Sequence, residues 1–437
     1  MRSMALRSFL FVGLAAVMTA SAAAQEWTRF RGPNGTGESE TTSIPASWTD
    51  KDLNWKIELP GIGHSSPVLW GEKLFILSAD PKTATRYVLC IDAKSGKEIW
   101  RKEYAGIPHH LHVNSSFASV TPAVDAERVF VAWSDPEYTR LMALDHKGNE
   151  LWTRNLGPWV SQHGFGSSPM LYQDMVVINC SQEDSKGTDP RKPKESFVIA
   201  VEQSTGKTRW RTDRKIDSAS YSVPTVRKNE KGEDELLCNT QAEGLFALDP
   251  KTGKENWSAP VLSMRSVSCP LYVAGLVFGT TGSGGGGHYL VTVKPGKEPQ
   301  EEYRVKQNAP YVGTPVCKGD LMFLFEDRQG HVTCIDAPTG NVIWFKPRVG
   351  ATFFGSPVRA GDKIFCVDTD GTVICIAAEK EYKELGRTKL GELCRSTPAI
   401  ANGRMYVRTV SHLLSVGGKP GQGRTASIGG SSSTGGE

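Results

Sequence analysis

Eight times along the 437-residue chain, a proline follows a run of small or polar residues and opens a short apolar stretch. The segments read HSSPV, SVTPA, GSSPM, YSVPT, VSCPL, VGTPV, FGSPV and RSTPA, with prolines at positions 67, 122, 169, 224, 270, 315, 357 and 398. Neighbouring prolines stand 41 to 55 residues apart. A unit of that size cannot bury an apolar face alone, so the units must pack on one another. Inside each unit a polar turn such as WGEK or AGDK separates the first apolar stretch from a second, LFILS or KIFCV. A third follows, as in VLCID or VTCID, and then a turn and a tryptophan: DAKSGKEIW, EQSTGKTRW, DPKTGKENW, DAPTGNVIW and the shorter DHKGNELW. Four short strands per unit, 45 glycines and no long amphipathic helical pattern predict an all-β chain. The expected architecture is an eight-bladed β-propeller of four-stranded antiparallel blades.

The closing turn has legible chemistry. Its acid accepts turn amides, and its glycine takes the positive-φ position. Trp100, Trp152, Trp210, Trp257 and Trp344 should each pack between neighbouring blades and donate the indole N–H to a carbonyl. The fifth unit (TVKPGKEPQEEY) and the seventh (AAEKEYKEL) lack this tryptophan, so their interfaces should be looser or packed differently. The eighth unit ends after RSTPAIANGRMYVRTVSHLLSVGG without a fourth strand, whereas LNWKIEL, with Trp55, precedes the first unit and has no blade of its own. The N-terminal strand around Trp55 should therefore close the last blade by pairing near Leu413, which removes the open sheet edges.

Residues 1–24 read as a signal peptide: Arg2 and Arg7, an apolar run from Phe9 to Ala20, then Ala22-Ala23-Ala24. Residues 25–417 form the propeller and 418–437 a flexible Gly/Ser-rich tail. This predicts a periplasmic or secreted protein without a membrane span. Net charge is +4 and is spread along the chain, which argues against nucleic acid. Nine cysteines sit mostly in apolar strand-like runs and read as small buried hydrophobes, with one or two disulfides left open. No C-x-x-C-H motif calls for covalent haem.

The segments ALDPKTGKENW (247–257) and IDAPTGNVIW (335–344) resemble the PQQ-type propeller repeat. That repeat is shared by quinoprotein alcohol dehydrogenases and by the propeller lipoprotein of the outer-membrane barrel assembly machinery. WTRFRGPNGTGESE (27–40) and HVNSSFASVTPAVDAERVFV (112–131) are similar to secreted propellers common in Planctomycetes. The resemblance implies the fold; activity has to be read from the site.

In such a fold the residues just before each proline converge on one mouth of the central channel. His64, Ser119, Phe165, Tyr221, Arg265, Tyr311, Phe354 and Arg395 are therefore candidate binding residues, joined by His112 and Asn114 from the segment IPHHLHVNSSFASVTP. An extended H-x-H would put His110 and His112 on one side, with His64 or His163 as a third ligand. No Cys, Asp or Glu joins them at ligand spacing, so this reads as polar pocket lining and no metal is assigned. GTTGSGGGGHYL (279–290) lacks the setting of a phosphate loop and reads as an inter-strand loop. SQEDSKGTDPRKPKES (181–196) reads as a solvated insertion on the mouth face. Ser65 and Ser119 lie near histidines, but serine before the repeat proline recurs and reads as packing rather than as a hydrolase nucleophile.

Two functions follow. The first is a non-catalytic binding or scaffold propeller of the cell envelope, a monomer without cofactor, holding a protein, peptide or glycan at the channel mouth by aromatic and arginine anchors. The second, implied by the resemblance, is a PQQ- and Ca-dependent alcohol (polyvinyl alcohol-like) dehydrogenase. It would need a calcium ion held by acidic and amide oxygens beside a basic aspartate. Neither that set nor the adjacent Cys-Cys pair of many such enzymes stands out in the sequence.

Overall fold

The computed structural model describes residues 26–183 and 195–418. The expected signal peptide, most of the charged insertion at 181–196 and the tail beyond residue 418 lie outside the described residues. Eight antiparallel sheets of four strands make up the fold. The innermost strands are Val68–Trp70, Ala123–Val124, Met170–Tyr172, Thr225–Lys228, Leu271–Val273, Val316–Lys318, Val358–Ala360 and Ala399–Ala401, and they begin blades 1 to 8. Each starts at the residue after a repeat proline, where the missing N–H costs no ladder bond. The middle strands are sandwiched between neighbouring blades and are buried on both faces, as in Lys73–Ala79. Outer strands such as Glu98–Tyr104 alternate between exposed and partly buried residues. Blade 8 is closed by Leu53–Glu58, which pairs antiparallel with His412–Gly417; Trp55 faces Ser415 and Ile57 faces Leu413.

The small polar residue before each proline fastens one blade to the next. Ser66 N donates to Thr121 Oγ1 (3.1 Å) and Thr121 N to Ser168 Oγ (2.9 Å). Further round, Cys269 N donates to Thr314 Oγ1 (2.9 Å), Thr314 N to Ser356 Oγ (3.0 Å), Ser356 N to Thr397 Oγ1 (2.9 Å), and Thr397 N back to Ser66 Oγ (3.0 Å). These bonds form a belt around the channel, each worth about 0.5–1.5 kcal/mol. Ser65 Oγ accepts Leu77 N and Ser119 Oγ donates to Ser116 O, so both serines are held in backbone turns. The belt is interrupted where Val223 and Cys269 replace the hydroxyl residue. There Thr225 Oγ1 donates to Pro270 O (2.9 Å) instead.

At the rim, each tryptophan meets the turn of the following blade. Trp55, Trp100, Trp152, Trp210 and Trp344 donate to the carbonyls of Ala93, His146, Gln203, Pro250 and Glu379. The turn glycine lies flat on the indole. At Gly253 (φ 72) a Cβ would stand 2.4 Å from the Trp210 ring, so the residue must be glycine for both conformation and space. Trp257 departs from the expectation: its Nε1 points to the Glu235 carboxylate of its own blade, at 3.3 Å. The two units without tryptophan are packed differently rather than left open. In blade 5 Tyr303 takes the position, donating its hydroxyl to Ala337 O and covering Gly340. In blade 7 the chain before the first blade fills the gap: Trp48 is buried and its backbone amide donates to Thr388 Oγ1 (2.9 Å). All nine cysteines are buried and free, so neither of the disulfides left open by the sequence is formed.

The segment ahead of Trp55 does more than close blade 8. It crosses the channel against the belt, at the end opposite the lead-ins to the first strands. Leu69 N donates to Trp27 O, Val124 N to Thr28 O and Arg359 N to Gly37 O, and Glu38–Ser39 adds a parallel strand to Val358–Ala360. Two arginines anchor it. Arg29 donates to Pro224 O (2.6 Å), at the interruption in the belt. Arg31 is fully buried and places its five N–H donors on five carbonyls: Gly35, Thr36, Thr314, Pro315 and Pro357. Burial lowers both guanidinium groups to a pKa of about 10, and they remain cations at neutral pH. The channel is thus stopped at one end.

Candidate functional site

Above this plug lies a cavity of about 780 Å³, with Phe30 of the plug in its wall. It is a cup open at the end where the lead-ins to the first strands gather. The structure brings His64, His112, Asn114, Ser119, Phe165, Tyr221, Arg265, Tyr311, Phe354 and Arg395 to its lining, from the lead-ins of all eight blades. Their roles differ. Ser119 is tied into a turn with Ser116, and Phe165 is largely buried edge-on against Trp159. Tyr221 shares a hydrogen bond with Ser161 Oγ (2.8 Å). Phe354 supports the Arg395 guanidinium from 5.8 Å.

The three histidines of the opening loop separate. His112 lines the cup with its ring 4.4 Å from that of His163, edge to face. His109 packs on Phe117 in a neighbouring crevice, and His110 is exposed. The expected extended H-x-H fails because the chain turns here: Ser115 N donates to His112 O, and Asn114 N to His112 Nδ1.

Two arginines and an imidazole meet on one side of the cup, with His64 and Arg395 in the lining and Arg408 buried behind it. Arg408 is fully buried and bonds only to Leu77 O, Ser78 Oγ and Thr409 O. Gly63 makes room for it, since a Cβ there would lie 2.6 Å from the guanidinium. Arg395 donates to Asn114 Oδ1 (3.0 Å), and its Nε, though buried, has no partner. Neither arginine has a carboxylate within ion-pair distance among the described residues. Between them His64 Nδ1 is buried without a partner. Burial, then the charges of Arg408 and Arg395, lower the His64 pKa to about 3. His163 is lowered to about 4 by burial, Arg265 and His112. Both stay neutral at physiological pH. Across the cup, Arg265 is paired with Glu183 (2.7 Å). The cup is therefore polarised, with positive charge at blade 8, where Glu392 acts on Arg408 from beyond ion-pair distance.

Sequence reading missed Arg408, the Phe30 wall, and a group formed by His288, Glu326 and Asp327, of which His288 and Asp327 line the cup. Arg408 and His288 sit in apolar strand runs with no local signal. GTTGSGGGGHYL is an ordered hairpin, Leu276–Ser283 to Gly286–Lys294. The turn acids are structural as read: Asp249 Oδ1 accepts Lys251 N and Thr252 N.

A quinone with calcium does not fit this lining. Calcium takes hard oxygen ligands. Among the described residues the only convergent acidic set includes an imidazole nitrogen, that of His288. No tryptophan faces the cup, and no two cysteines are adjacent. No reaction step is derived through that pair.

Comparison with known proteins agrees with the fold. The sequence model of the family described as outer membrane protein assembly factor BamB matches residues 84–346 and 328–422. A tetrathionate hydrolase of Acidithiobacillus ferrooxidans is 26% identical over 51% of this chain and 42% of its own length. A quinoprotein ethanol dehydrogenase of Pseudomonas aeruginosa is 29% identical over 30% of this chain and 21% of its own. The chain thus spans less than half the length of these curated relatives. Among solved structures, BamB from Moraxella catarrhalis superposes with a TM-score of 0.58 at 14% identity, over 84% of this chain and 98% of that one. Quinohemoprotein alcohol dehydrogenase from Comamonas testosteroni gives 0.64 at 13%, over 93% and 82%.

Proposed function

The chain belongs to the family of the outer membrane protein assembly factor BamB, and from that premise we propose that it is a non-catalytic binding propeller of the cell envelope, periplasmic or secreted. Its cup holds an acidic segment of a partner protein. The observation that carries this reading is Arg395, which lines the closed-ended cup beside a neutral His64 and has no ion-pair partner among the described residues. A carboxylate entering the cup meets the Arg395 guanidinium and the His64 ring. Tyr311, Phe354 and Tyr221 supply flat contact surface beside it. Arginine and aromatic residues in a desolvated recess are the usual anchors of an interface.

The test is fluorescence anisotropy with acidic, neutral and basic peptides, alongside a pull-down from envelope extract. Acidic peptides should bind best. Arg395→Gln should weaken them at least about tenfold, the loss expected for a charge-assisted hydrogen bond. Equal binding by the variant would overturn the reading. Capture of glycans in place of protein would replace the partner class. Calcium-dependent dye reduction with added PQQ and a primary alcohol would establish the dehydrogenase alternative instead.

A further inference from the structure

On the side of the cup facing away from Arg395, blades 5 and 6 bring together three buried side chains. His288 stands in the strand Gly286–Lys294, and Glu326 and Asp327 follow the strand Leu321–Phe325. One ligand atom from each lies within 4.8 Å of the others. His288 Nε2 is 2.8 Å from Ser283 O. A carbonyl only accepts, so Nε2 carries the proton and Nδ1 presents a lone pair. That Nδ1 lies 3.7 Å from Asp327 Oδ1, too far for a hydrogen bond. It is within a few tenths of an ångström of the separation, about 3.4 Å, of two ligands on one tetrahedral ion. Three acceptors therefore face one another in a buried place with no donor among them.

The supporting contacts are those of an oriented ligand set. Glu326 accepts Arg328 N (2.9 Å) and Gln329 N (2.7 Å), and Asp327 Oδ1 accepts Tyr311 N (2.8 Å). Together with the Ser283 carbonyl behind the imidazole, they fix all three groups while leaving lone pairs directed inward.

We propose that His288 Nδ1, Glu326 and Asp327 bind a divalent first-row transition ion in the wall of the cup. The imidazole selects against magnesium and calcium, and the two carboxylates suit manganese, cobalt or zinc. Because His288 and Asp327 line the cavity, the ion reaches its site from the mouth and keeps open positions toward whatever enters. The exposed guanidinium of Arg328 and that of Arg265 stand on the same lining.

The experiment is calorimetric titration of the chelator-treated purified protein with Mn²⁺, Co²⁺, Ca²⁺ and Mg²⁺. One equivalent of Mn²⁺ or Co²⁺ should bind, and Asp327→Asn and His288→Gln should each weaken it about 100-fold, while His110→Ala, in the exposed loop, should not. Absence of stoichiometric binding, unchanged affinity in both variants, loss in H110A, or preference for calcium would each overturn the proposal. Should a variant fail to fold, the Co²⁺-loaded wild-type protein still decides: it must show one paramagnetically shifted, exchangeable imidazole N–H from the Nε2 proton held by Ser283. Its absence would refute the site independently of mutagenesis and of partner binding.

Discussion

Replacing Arg31 probes whether the plug depends on one buried cation. Its guanidinium donates five hydrogen bonds, three of them to blades 6 and 7 through Thr314, Pro315 and Pro357. Hydrogen bonds from a charged donor contribute about 1.5–3 kcal/mol each, but water reaches the carbonyls once the plug lifts and returns part of that. Arg31→Ala should therefore lower the free energy of plug opening by about 3–5 kcal/mol, in the range measured when buried charge networks are broken. Lysine has three donors rather than five, so Arg31→Lys should lose about 2–3 kcal/mol. Native-state hydrogen exchange reads this directly. The amides of Gly37 and Arg359, which bond to Arg31 O and Gly37 O, are closed only while the plug is seated. Their exchange should accelerate by about two to four orders of magnitude in the alanine variant. The amides of Lys73–Ala79, held inside blade 1, should change little. If Gly37 and Arg359 accelerate less than about tenfold, the guanidinium does not hold the plug and the closed-ended cup loses its physical basis.

Three further outcomes follow from the same geometry. Trp210→Ala should destabilise by about 3–5 kcal/mol, through lost burial against Gly253 and a lost bond to Pro250 O, and Tyr303→Phe by only about 1 kcal/mol; denaturant midpoints check both. Unfolded imidazoles protonate near pH 6.5, whereas His64 and His163 stay neutral in the fold down to about pH 3 and about pH 4. The unfolded chain therefore binds more protons in that window, and stability should fall as pH drops from about 6.5, a slope that His64→Gln and His163→Gln reduce in urea titrations. Burial pushes the thiols of Cys90, Cys334 and Cys375 up to about 12, so a thiol reagent should label none of the nine cysteines in native protein and all nine in denaturant.

The blade plan was legible because every blade repeats the same local solution. A hydroxyl before a proline and a glycine under an indole each solve one interface, and repetition made them visible. The closure was legible by subtraction: blade 8 lacked a strand, and Leu53–Glu58 lacked a sheet. The plug was not, because WTRFRGPNGTG has no periodicity of its own. Its order comes from carbonyls nearly three hundred residues away, such as Thr314 O to Arg31. The same holds for the chain around Trp48, which packs on the outer strand of blade 7 from outside that unit. Within the cup, positions before the prolines could be assigned to one rim from the repeat alone. His288, Glu326 and Asp327 could not be grouped, since their approach depends on how two neighbouring hairpins tilt together. The separation of the loop histidines was hidden for the opposite reason: a local turn at His112–Ser115 overrides the alternation of an extended chain.

Seven of the sheets arise from hairpins whose strands follow one another closely, and such pieces assemble fast. The eighth joins Ile57 to Leu413, so its formation waits for nearly the entire polypeptide to become available. A ribosome or a translocation pore that has released blades 1 to 7 still holds an unfinished ring with a bare seam on each side. Any factor that shields nascent sheets, or any protease that patrols them, meets its longest window at that stage.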